Sequence, residues 1–193
     1  HAHQDRRRRA GRVLVGDGPV ATLPARTARE PGMAIVTYKR GDNDERPWGR
    51  WEVLDAYGYP VVHLANYALG TEPDVTVVAY GGMSRLLQVV LGRMAAEEVH
   101  VLAVLPACIS PLDGTIPAAA AAVSGRLLVV EESQAAFGWG AEVVVQVMAA
   151  VGHVQAARLG AQPTVIPAAK VLEDQVLVSE TGIEHALLQL LRS

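Results

Sequence analysis

The first residues whose types and spacing suggest chemistry are Gly81 and Gly82, which follow an apolar run from Val75 to Tyr80. Glycines between a strand and a helix can bring the backbone close to a phosphate, as they do in dinucleotide-binding folds. That chemistry requires the spacing G-x-G-x-x-G, whereas this turn continues with Met83-Ser84-Arg85. No acidic residue closes the next strand at the required place either. The glycine pair therefore predicts a tight strand-to-helix turn rather than a nucleotide site.

A second candidate is Gly16-Asp17-Gly18, because an Asp carboxylate and a downstream Asn oxygen can ligate a Mg²⁺ ion that bridges a diphosphate. Asn43 lies downstream at a plausible distance along the chain. The intervening sequence does not support the pair, because Pro19 follows the second glycine and the strand ends with Tyr38-Lys39-Arg40. A plain turn is favoured over a metal site.

Candidate nucleophiles, acids and bases are few. Cys108 follows a predicted strand, but no base stands in a fixed relation to it, so a structural thiol is favoured over a nucleophile. Glu131-Glu132 lie at the carboxyl end of a strand, where α/β proteins form sites, although such a pair more often caps the next turn. No metal-ligand spacing relates the six histidines, which are His1, His3, His63, His100, His153 and His185. We expect His63 and His100 to be packed or hydrogen-bonded.

The composition limits the classes of partner. Half of the 193 residues are apolar, only one is Phe, and the formal net charge is −3. This charge provides no general attraction to nucleic acid or to an anionic membrane. The basic run Arg6-Arg7-Arg8-Arg9 predicts a solvated tail, with a phosphate-binding arm as the alternative.

The single cysteine and the N-terminal residues bear on the cellular compartment. Cys108 excludes an internal disulfide and fits a reducing compartment, so we expect a cytoplasmic protein. No apolar run approaches the roughly 20 residues of a membrane span, and no signal peptide is visible. Because the chain starts at His1 without an initiator Met, a fragment or a processed product is expected.

The elements that would position these residues alternate between strand and helix from residue 71 onward. Apolar runs bounded by Gly and Pro predict strands at Val75–Tyr80, Val99–Leu105, Leu127–Val130 and Gln155–Leu159. Helical spacing predicts helices at Ser84–Glu97, Ile116–Val123, Ala141–Val151 and Glu180–Leu191, the last capped by Ser179 or Thr181. This order is typical of βαβ units. It predicts a three-layer α/β domain over residues 71–193, with a mostly parallel sheet and helices on both faces.

The first 70 residues are less regular. A helix is predicted over Ala21–Glu30 and a strand over Ala34–Tyr38. The hydrophilic stretch Gly41–Arg50 predicts a loop, and Trp51–Leu69 predicts an extended arm with a short strand near Val61–Leu64. We therefore divide this part into a tail or disordered arm over residues 1–40 and a linker arm over residues 41–70.

Four short motifs occur in order along the predicted α/β domain. They are Asp74-Val75-Thr76 with its apolar run to Gly81, Ser110-Pro111-Leu112-Asp113, Glu131-Glu132 followed by Gly138-Trp139-Gly140-Ala141-Glu142, and Leu172-Glu173-Asp174. This series resembles the C-terminal domain of transketolase-like thiamine diphosphate enzymes. It is most similar to the β subunit of the 2-oxo-acid dehydrogenase E1 component. Ala21–Arg40 resembles the last helix and strand of the preceding pyrimidine-binding domain, which would make Gly16-Asp17-Gly18 a coincidence.

The resemblance implies a division of labour. Such enzymes bind thiamine diphosphate and Mg²⁺ at a subunit interface, between a diphosphate-binding and a pyrimidine-binding domain. The cofactor carbanion attacks a ketose or a 2-oxo acid, and the two-carbon or acyl unit then passes to an acceptor. The C-terminal domain contributes dimer contacts and partner docking. The family's glutamate and catalytic histidine lie upstream of these motifs, so no catalytic, cofactor-binding or metal-binding residue carries over. His1 and His3 are not favoured as a remnant of that region.

We therefore expect an assembly and partner-binding domain of a transketolase or E1-type enzyme, present as a fragment or a split subunit. A biosynthetic pathway is one of the alternatives for the complete enzyme. Its partners would be the missing thiamine-binding domains or an α-type subunit, a second copy in a homodimer, and an acyl-carrier or lipoyl domain. Thiamine diphosphate and Mg²⁺ are expected in the complete enzyme and not on this chain alone. The alternative is a stand-alone interaction module with this fold and no thiamine chemistry. A third hypothesis is an independent enzyme that uses Cys108.

Overall fold

The computed structural model describes residues 34–39, 47–68 and 70–193. The strands in this part of the chain are β1 (Ala34–Lys39), β2 (Pro47–Leu54), β3 (Pro60–Ala65), β4 (Val75–Ala79), β5 (Val101–Pro106), β6 (Arg126–Gln134) and β7 (Gln155–Ala161). The helices are α1 (Met83–Ala96), α2 (Thr115–Ser124), α3 (Trp139–Val151), α4 (Lys170–Val176) and α5 (Glu180–Arg192). None of the described helices is long and apolar enough to cross a membrane.

The strands form one seven-stranded sheet in the order β1-β2-β3-β5-β4-β6-β7. The four strands from β4 onward in the chain run parallel to one another, as the alternation of strands and helices predicts. The first three strands are antiparallel to their neighbours, including β3 to β5. The predicted α/β class is confirmed, and the complete sheet is mixed because the hairpin strands extend its parallel half.

Helices cover both faces of the parallel half. The apolar sides of α1 and α5 pack on one face with Val75 and Val77 of β4. The apolar sides of α2 and α3 pack on the other face with Val78 of the same strand. Successive strand residues point to opposite faces, so a strand buried on both sides is apolar at almost every position. Strand β4 is apolar except at Thr76, which is also buried. The predicted three-layer architecture is confirmed.

The helix patterns read from the sequence are also confirmed. The predicted face of α1, which comprises Leu87, Val90, Leu91 and Met94, has no exposed surface. Each fully buried side chain of this kind contributes about 1.5–3 kcal/mol. The hydroxyl of Ser179 accepts a hydrogen bond from the N–H of Gly182 at the start of α5, as the capping pattern predicts.

The prediction of a loop over Gly41–Arg50 is wrong from Pro47 onward, because β2 begins there. Trp51 and Val53 alternate with Arg50 and Glu52 and pack against the core. Period-two alternation of this kind indicates a half-buried strand, but the turn-forming residues before it obscured the pattern. The short strand predicted near Val61–Leu64 is present as β3. The region expected to be a linker arm thus pairs with the main sheet through β3 and β5.

Two further elements differ from the sequence prediction. Strand β6 continues four residues past the predicted end at Val130, so that Glu131 and Glu132 belong to the strand. Helix α4 was not predicted, because the prolines at positions 163 and 167 indicated an irregular stretch and the helix has only seven residues. The predicted helix over Ala21–Glu30 lies outside the described residues.

Candidate functional site

The carboxyl ends of the parallel strands meet at one edge of the sheet. Strand β4 leads into α1 on one face, whereas its neighbour β6 leads into α3 on the opposite face. In open α/β sheets, the loops diverge at such a point and leave a crevice in which ligands bind. The candidate site is therefore built from three connections, which are Tyr80–Gly82, Ala107–Gly114 and Ala135–Gly138.

The carboxylate of Glu132 closes the side of this crevice next to β4. Its Oε1 accepts a hydrogen bond of 2.7 Å from the N–H of Gly82, the residue before α1. A Cβ atom at Gly82 would lie only 2.4 Å from that oxygen, and Gly81 adopts a φ of +58°, so the two glycines serve a tight turn beneath the carboxylate. The N-terminus of a helix is where anionic ligands bind. Here an internal carboxylate occupies that position.

The preceding residue, Glu131, serves the other face of the sheet. Its side chain has no exposed surface, and Oε2 accepts hydrogen bonds from the hydroxyl of Ser133 (2.7 Å) and from the N–H of Gly140 (3.2 Å) in α3. Among the described residues, Oε1 has no hydrogen-bond partner. A Cβ atom at Gly138 or Gly140 would come within 2.2 or 2.7 Å of the carboxylate. The glycines after β6 therefore make room for a buried acid.

Aromatic side chains close the middle of the crevice. The rings of Tyr80 and Trp139 meet edge to face, with centroids 4.9 Å apart. The indole N–H of Trp139 donates to the carbonyl of Ile109 at 2.9 Å. These contacts connect the turn after β4, the loop after β5 and the start of α3. The residues at this edge of the sheet therefore contact mainly one another.

Comparison with known proteins identifies the fold. Residues 67–183 match the family described as transketolase, C-terminal domain. The chain belongs to this family.

One solved structure agrees with the family match at the level of fold. A split-gene transketolase, an inactive β4 tetramer, is 21% identical with a TM-score of 0.56, over 63% of this chain and 40% of that one. The 2-oxoglutarate:ferredoxin oxidoreductase from Magnetococcus marinus, with 2-oxoglutarate, coenzyme A and succinyl-CoA bound, is 12% identical with a TM-score of 0.48, over 67% of this chain and 19% of that one. The chain thus spans less than half the length of either protein. No curated protein sequence matches it.

Several motifs of this transketolase C-terminal domain have structural roles. Asp74 accepts a hydrogen bond from the N–H of His100, the residue before β5 (2.8 Å). The buried hydroxyl of Thr76 interacts with the carbonyl of Ala120 (3.1 Å) and the hydroxyl of Ser124 (2.9 Å) in α2. The D-V-T motif therefore fixes the central strand β4 to its neighbours.

Asp113, the last residue of the S-P-L-D motif, fastens the β2–β3 turn to the domain. Its carboxylate accepts hydrogen bonds from the N–H of Ala56 (2.7 Å) and from the hydroxyl and N–H of Thr115. Partial burial opposes ionisation of Asp113, but these hydrogen bonds outweigh it and lower the pKa of the carboxyl group. The motif thus joins the hairpin to the loop after β5.

Replacing Asp113 by alanine should loosen this turn without unfolding the domain. The N–H of Ala56 would lose its acceptor, and its hydrogen exchange should accelerate at least several-fold, while amides in β4 and β6 stay protected. Exchange followed by mass spectrometry or NMR measures the difference. Glu142→Ala is a matched control, since the described donor to that carboxylate is Gln146 on the same helix. Unchanged exchange at Ala56 in Asp113→Ala would contradict the fastening role.

Cys108 does not lie beside a catalytic base in the described structure. Its Sγ is 3.5 Å from the carbonyl oxygens of Ser110 and Pro111, and these main-chain groups are its hydrogen-bond partners. The Ser110–Pro111 peptide bond is cis. This environment supports a structural thiol over a nucleophile.

The histidines that the structure describes are dispersed. His63 is 5% exposed, and its ring stacks on Trp51 with centroids 4.9 Å apart. Burial lowers the pKa of His63 to about 4, opposed only in part by the backbone of Val61. His100 packs against Tyr67 with ring centroids 5.3 Å apart. Both are packed, as expected, although only His63 lies in a strand and His100 directly precedes β5.

The remaining candidate site residues are either exposed or outside the described part of the chain. His153 and His185 are exposed. Within the described ranges, no group of three His, Cys, Asp or Glu residues could hold a metal ion. The Gly16-Asp17-Gly18 motif with Asn43, the run Arg6-Arg7-Arg8-Arg9, and His1 with His3 lie outside the described residues.

Sequence reasoning missed the role of Asn66. This buried side chain donates to the carbonyls of Leu91 and Val99 (3.0 Å each) and accepts from the N–H of Val101 (2.7 Å). It thereby connects the end of β3 to α1 and β5. No sequence motif marks it, because its partners are main-chain groups distant in the chain.

Proposed function

We propose that this chain is the C-terminal assembly and partner-binding domain of a thiamine diphosphate-dependent enzyme of the transketolase or 2-oxo-acid dehydrogenase E1 type. The complete enzyme would transfer a two-carbon ketol or acyl unit to an acceptor. The single observation that carries the proposal is that Glu131 and Glu132 both bind groups within the domain. Their carboxylates are bound to the N–H groups of Gly140 and Gly82 within the domain.

Complete enzymes of this family depend on thiamine diphosphate. Such a cofactor needs donors for its diphosphate and oxygen ligands for Mg²⁺. The glycine turn after β4 does not provide the donors, because the N–H of Gly82 is bound to Glu132. No metal-holding group occurs in the described part of the chain. These residues do not fit the cofactor, and we propose that the partner domains or an α-type subunit supply its site.

This arrangement supports the proposed assembly role. A domain whose crevice carboxylates are bound to its own N–H groups still presents surfaces for other chains. The proposed partners are thiamine-binding domains or subunits, a second copy of this chain, and an acyl-carrier or lipoyl domain that accepts the product. We also propose a cytoplasmic location, since the single Cys108 fits a reducing compartment.

Calorimetry on the purified chain tests the proposal directly. Thiamine diphosphate with Mg²⁺ should produce no binding heat with the chain alone. It should bind once a thiamine-binding domain or subunit, encoded upstream or next to the gene, is added and forms a complex with the chain. Thiamine diphosphate binding by the chain alone would contradict the division of labour. Failure of every such candidate to form a complex would favour the stand-alone interaction module.

A further inference from the structure

A cavity of about 470 Å³ lies at the amino ends of the parallel strands, opposite the crevice at their carboxyl ends. It opens between the end of β3, the end of α1 and the start of β5. We call it the amino-edge cavity. The described residues that line it include Asn66, Tyr67, Thr71, Ala95, Glu98 and His100. Ligand pockets commonly enclose about 300–1,000 Å³, so this cavity can hold a small molecule or a long side chain.

The inner wall of the amino-edge cavity is fixed by Asn66. Both N–H groups of its amide donate to main-chain carbonyls, and its oxygen accepts from a main-chain N–H. These bonds join the end of β3 to α1 and β5, so the wall is already in place before a ligand binds. A site that is formed in advance loses less affinity to ordering. Because the donors of Asn66 are used inside the domain, recognition of a ligand falls to the other lining residues.

Two of the lining residues carry aromatic rings. The rings of Tyr67 and His100 lie 5.3 Å apart between centroids, with an interplanar angle of 39°. Burial and, next, the carboxylate of Asp74 raise the pKa of Tyr67 to about 12, so its hydroxyl stays neutral at physiological pH. A neutral phenol ring attracts a cation over its face and offers apolar surface to an alkyl chain. The ring pair therefore favours a ligand that carries positive charge on an apolar body.

Glu98 stands where a helix usually ends in glycine. It follows the last residues of α1 with a φ of +58°. Its N–H donates to the carbonyl of Ala95, and the N–H of Val99 donates to the carbonyl of Met94. In this type of helix end the left-handed residue is usually glycine, and a glutamate there is strained. Among the described residues, no cation pairs with its carboxylate. Strained residues of this kind occur preferentially at functional sites.

The charges around the amino-edge cavity favour a cation over an anion. Besides Glu98, the carboxylate of Asp74 lies beside the lining residue His100 and accepts its N–H at 2.8 Å. The C-terminal end of α1 adds partial negative charge. The basic residue in the last turn of α1, Arg93, is bound to two glutamates of α5 (2.9 and 3.4 Å). Arg126 donates to the main-chain carbonyl of Asp74 from β6, on the side of β4 away from β5.

We propose that the amino-edge cavity binds an organic cation, an alkylguanidinium or alkylammonium group, with Glu98 as its counter-ion and Tyr67 and His100 beside its alkyl chain. The cation belongs either to a free small molecule or to an arginine or lysine side chain of a partner, since both present the same group. The cavity lies at the opposite end of the sheet from the crevice. The inference therefore goes beyond the proposed function and does not depend on it.

Titration of the full 193-residue chain with butylguanidinium, followed by NMR, tests the site. The cation should bind with a dissociation constant on the order of 1 mM and shift the amide signals of Tyr67, Glu98 and His100. Nuclear Overhauser effects should join its butyl protons to the two rings. Butylurea has nearly the same shape without the charge, and it should bind about fivefold more weakly or worse.

Arginine and N-acetylarginine amide distinguish the two sources of the cation. Tighter binding of the free amino acid would support a free small molecule as the ligand. Tighter binding of the capped form would support a side chain of a partner.

Glu98→Gly removes the carboxylate and places at this position the residue that suits its φ. The fold should be kept, with a thermal midpoint no lower than that of the wild type. The dissociation constant of butylguanidinium should rise about fivefold or more. Glu97→Gln is the matched control, because Glu97 is the neighbouring exposed acid and is not among the lining residues. It should leave the dissociation constant unchanged.

Three results would overturn the site. They are the absence of butylguanidinium binding, equal binding of butylurea, and an unchanged dissociation constant in Glu98→Gly. Equal weakening by Glu98→Gly and Glu97→Gln would also overturn it, because net charge rather than the cavity would then attract the cation.

Discussion

Replacing Gly140 by alanine should destabilise the folded chain by about 1–3 kcal/mol, the range for overpacking a close-packed core. The new methyl group would lie 2.7 Å from Oε1 of Glu131 and 3.0 Å from Cγ1 of Val129. Glu131 has no exposed surface, so its carboxylate cannot swing into solvent to make room. A loss of stability is unusual for this substitution, because alanine is favoured over glycine inside a helix by about 1 kcal/mol. Urea unfolding followed by circular dichroism measures the change.

Gly182→Ala provides a matched control in the first turn of another helix. Among the residues that the structure describes, a Cβ atom there would meet only the hydroxyl of Ser179, at 3.3 Å. The substitution should be neutral or stabilising by up to about 1 kcal/mol. In a Glu131→Ala background, where the obstructing carboxylate is absent, Gly140→Ala should also lose most of its cost. A neutral effect of Gly140→Ala in the wild-type chain would show that the buried carboxylate does not require glycine at this position.

Acidification from pH 7 should cost the chain about 2 kcal/mol of stability by pH 5 through His63 alone. Burial lowers the pKa of His63 from 6.5 to about 4 in the folded state. Between these values the unfolded chain binds a proton that the folded chain does not, so stability falls as the pH falls. The full contribution, about 3 kcal/mol, is present above pH 6.5 and is lost by pH 4. Below pH 4 both states are protonated and this group adds no further change.

His63→Phe tests this assignment, because phenylalanine can keep a ring stacked against Trp51 and cannot titrate. Free energies of unfolding are measured in urea at pH 7, 6 and 5 for both proteins. The wild-type curve should fall more steeply than that of the variant, by about 2 kcal/mol in total over this range. Parallel curves would mean that His63 is not the residue responsible.

The sequence determined the parallel half of the sheet because its signals are local. A run such as Val75–Ala79 is apolar at every position except Thr76 and is followed by a glycine turn, which specifies a strand buried on both faces. The stripe of α1 is similarly encoded by spacing alone. Strand β2 escaped recognition because its alternating pattern follows directly on a turn-rich stretch. The resemblance to the transketolase C-terminal domain was carried by motifs, and the family match confirms it.

The roles of those motif residues required the tertiary structure. Glu131 and Glu132 looked like either a site or a cap, since both uses place acids at the end of a strand. Gly82 lies 50 residues before Glu132 in the chain. Only the fold shows that the N–H of Gly82 is 2.7 Å from Oε1 of Glu132. Neighbouring residues also do not explain why a glycine stands at position 140 inside a helix. The buried carboxylate of Glu131 explains it, because a Cβ atom at this position would lie 2.7 Å from Oε1.

By itself, then, the sequence determined the α/β class, the helix faces and the family. Apolar periodicity, turn-forming glycines and prolines, and short motifs are all properties of neighbouring residues. The tertiary structure decided how the acids are used, how the hairpin joins the sheet and which apolar residues remain exposed. These features depend on contacts between segments far apart in the chain. Phe137 illustrates the difference, because nothing in its neighbouring residues indicates that a lone phenylalanine would be exposed at the end of the sheet rather than packed in its core.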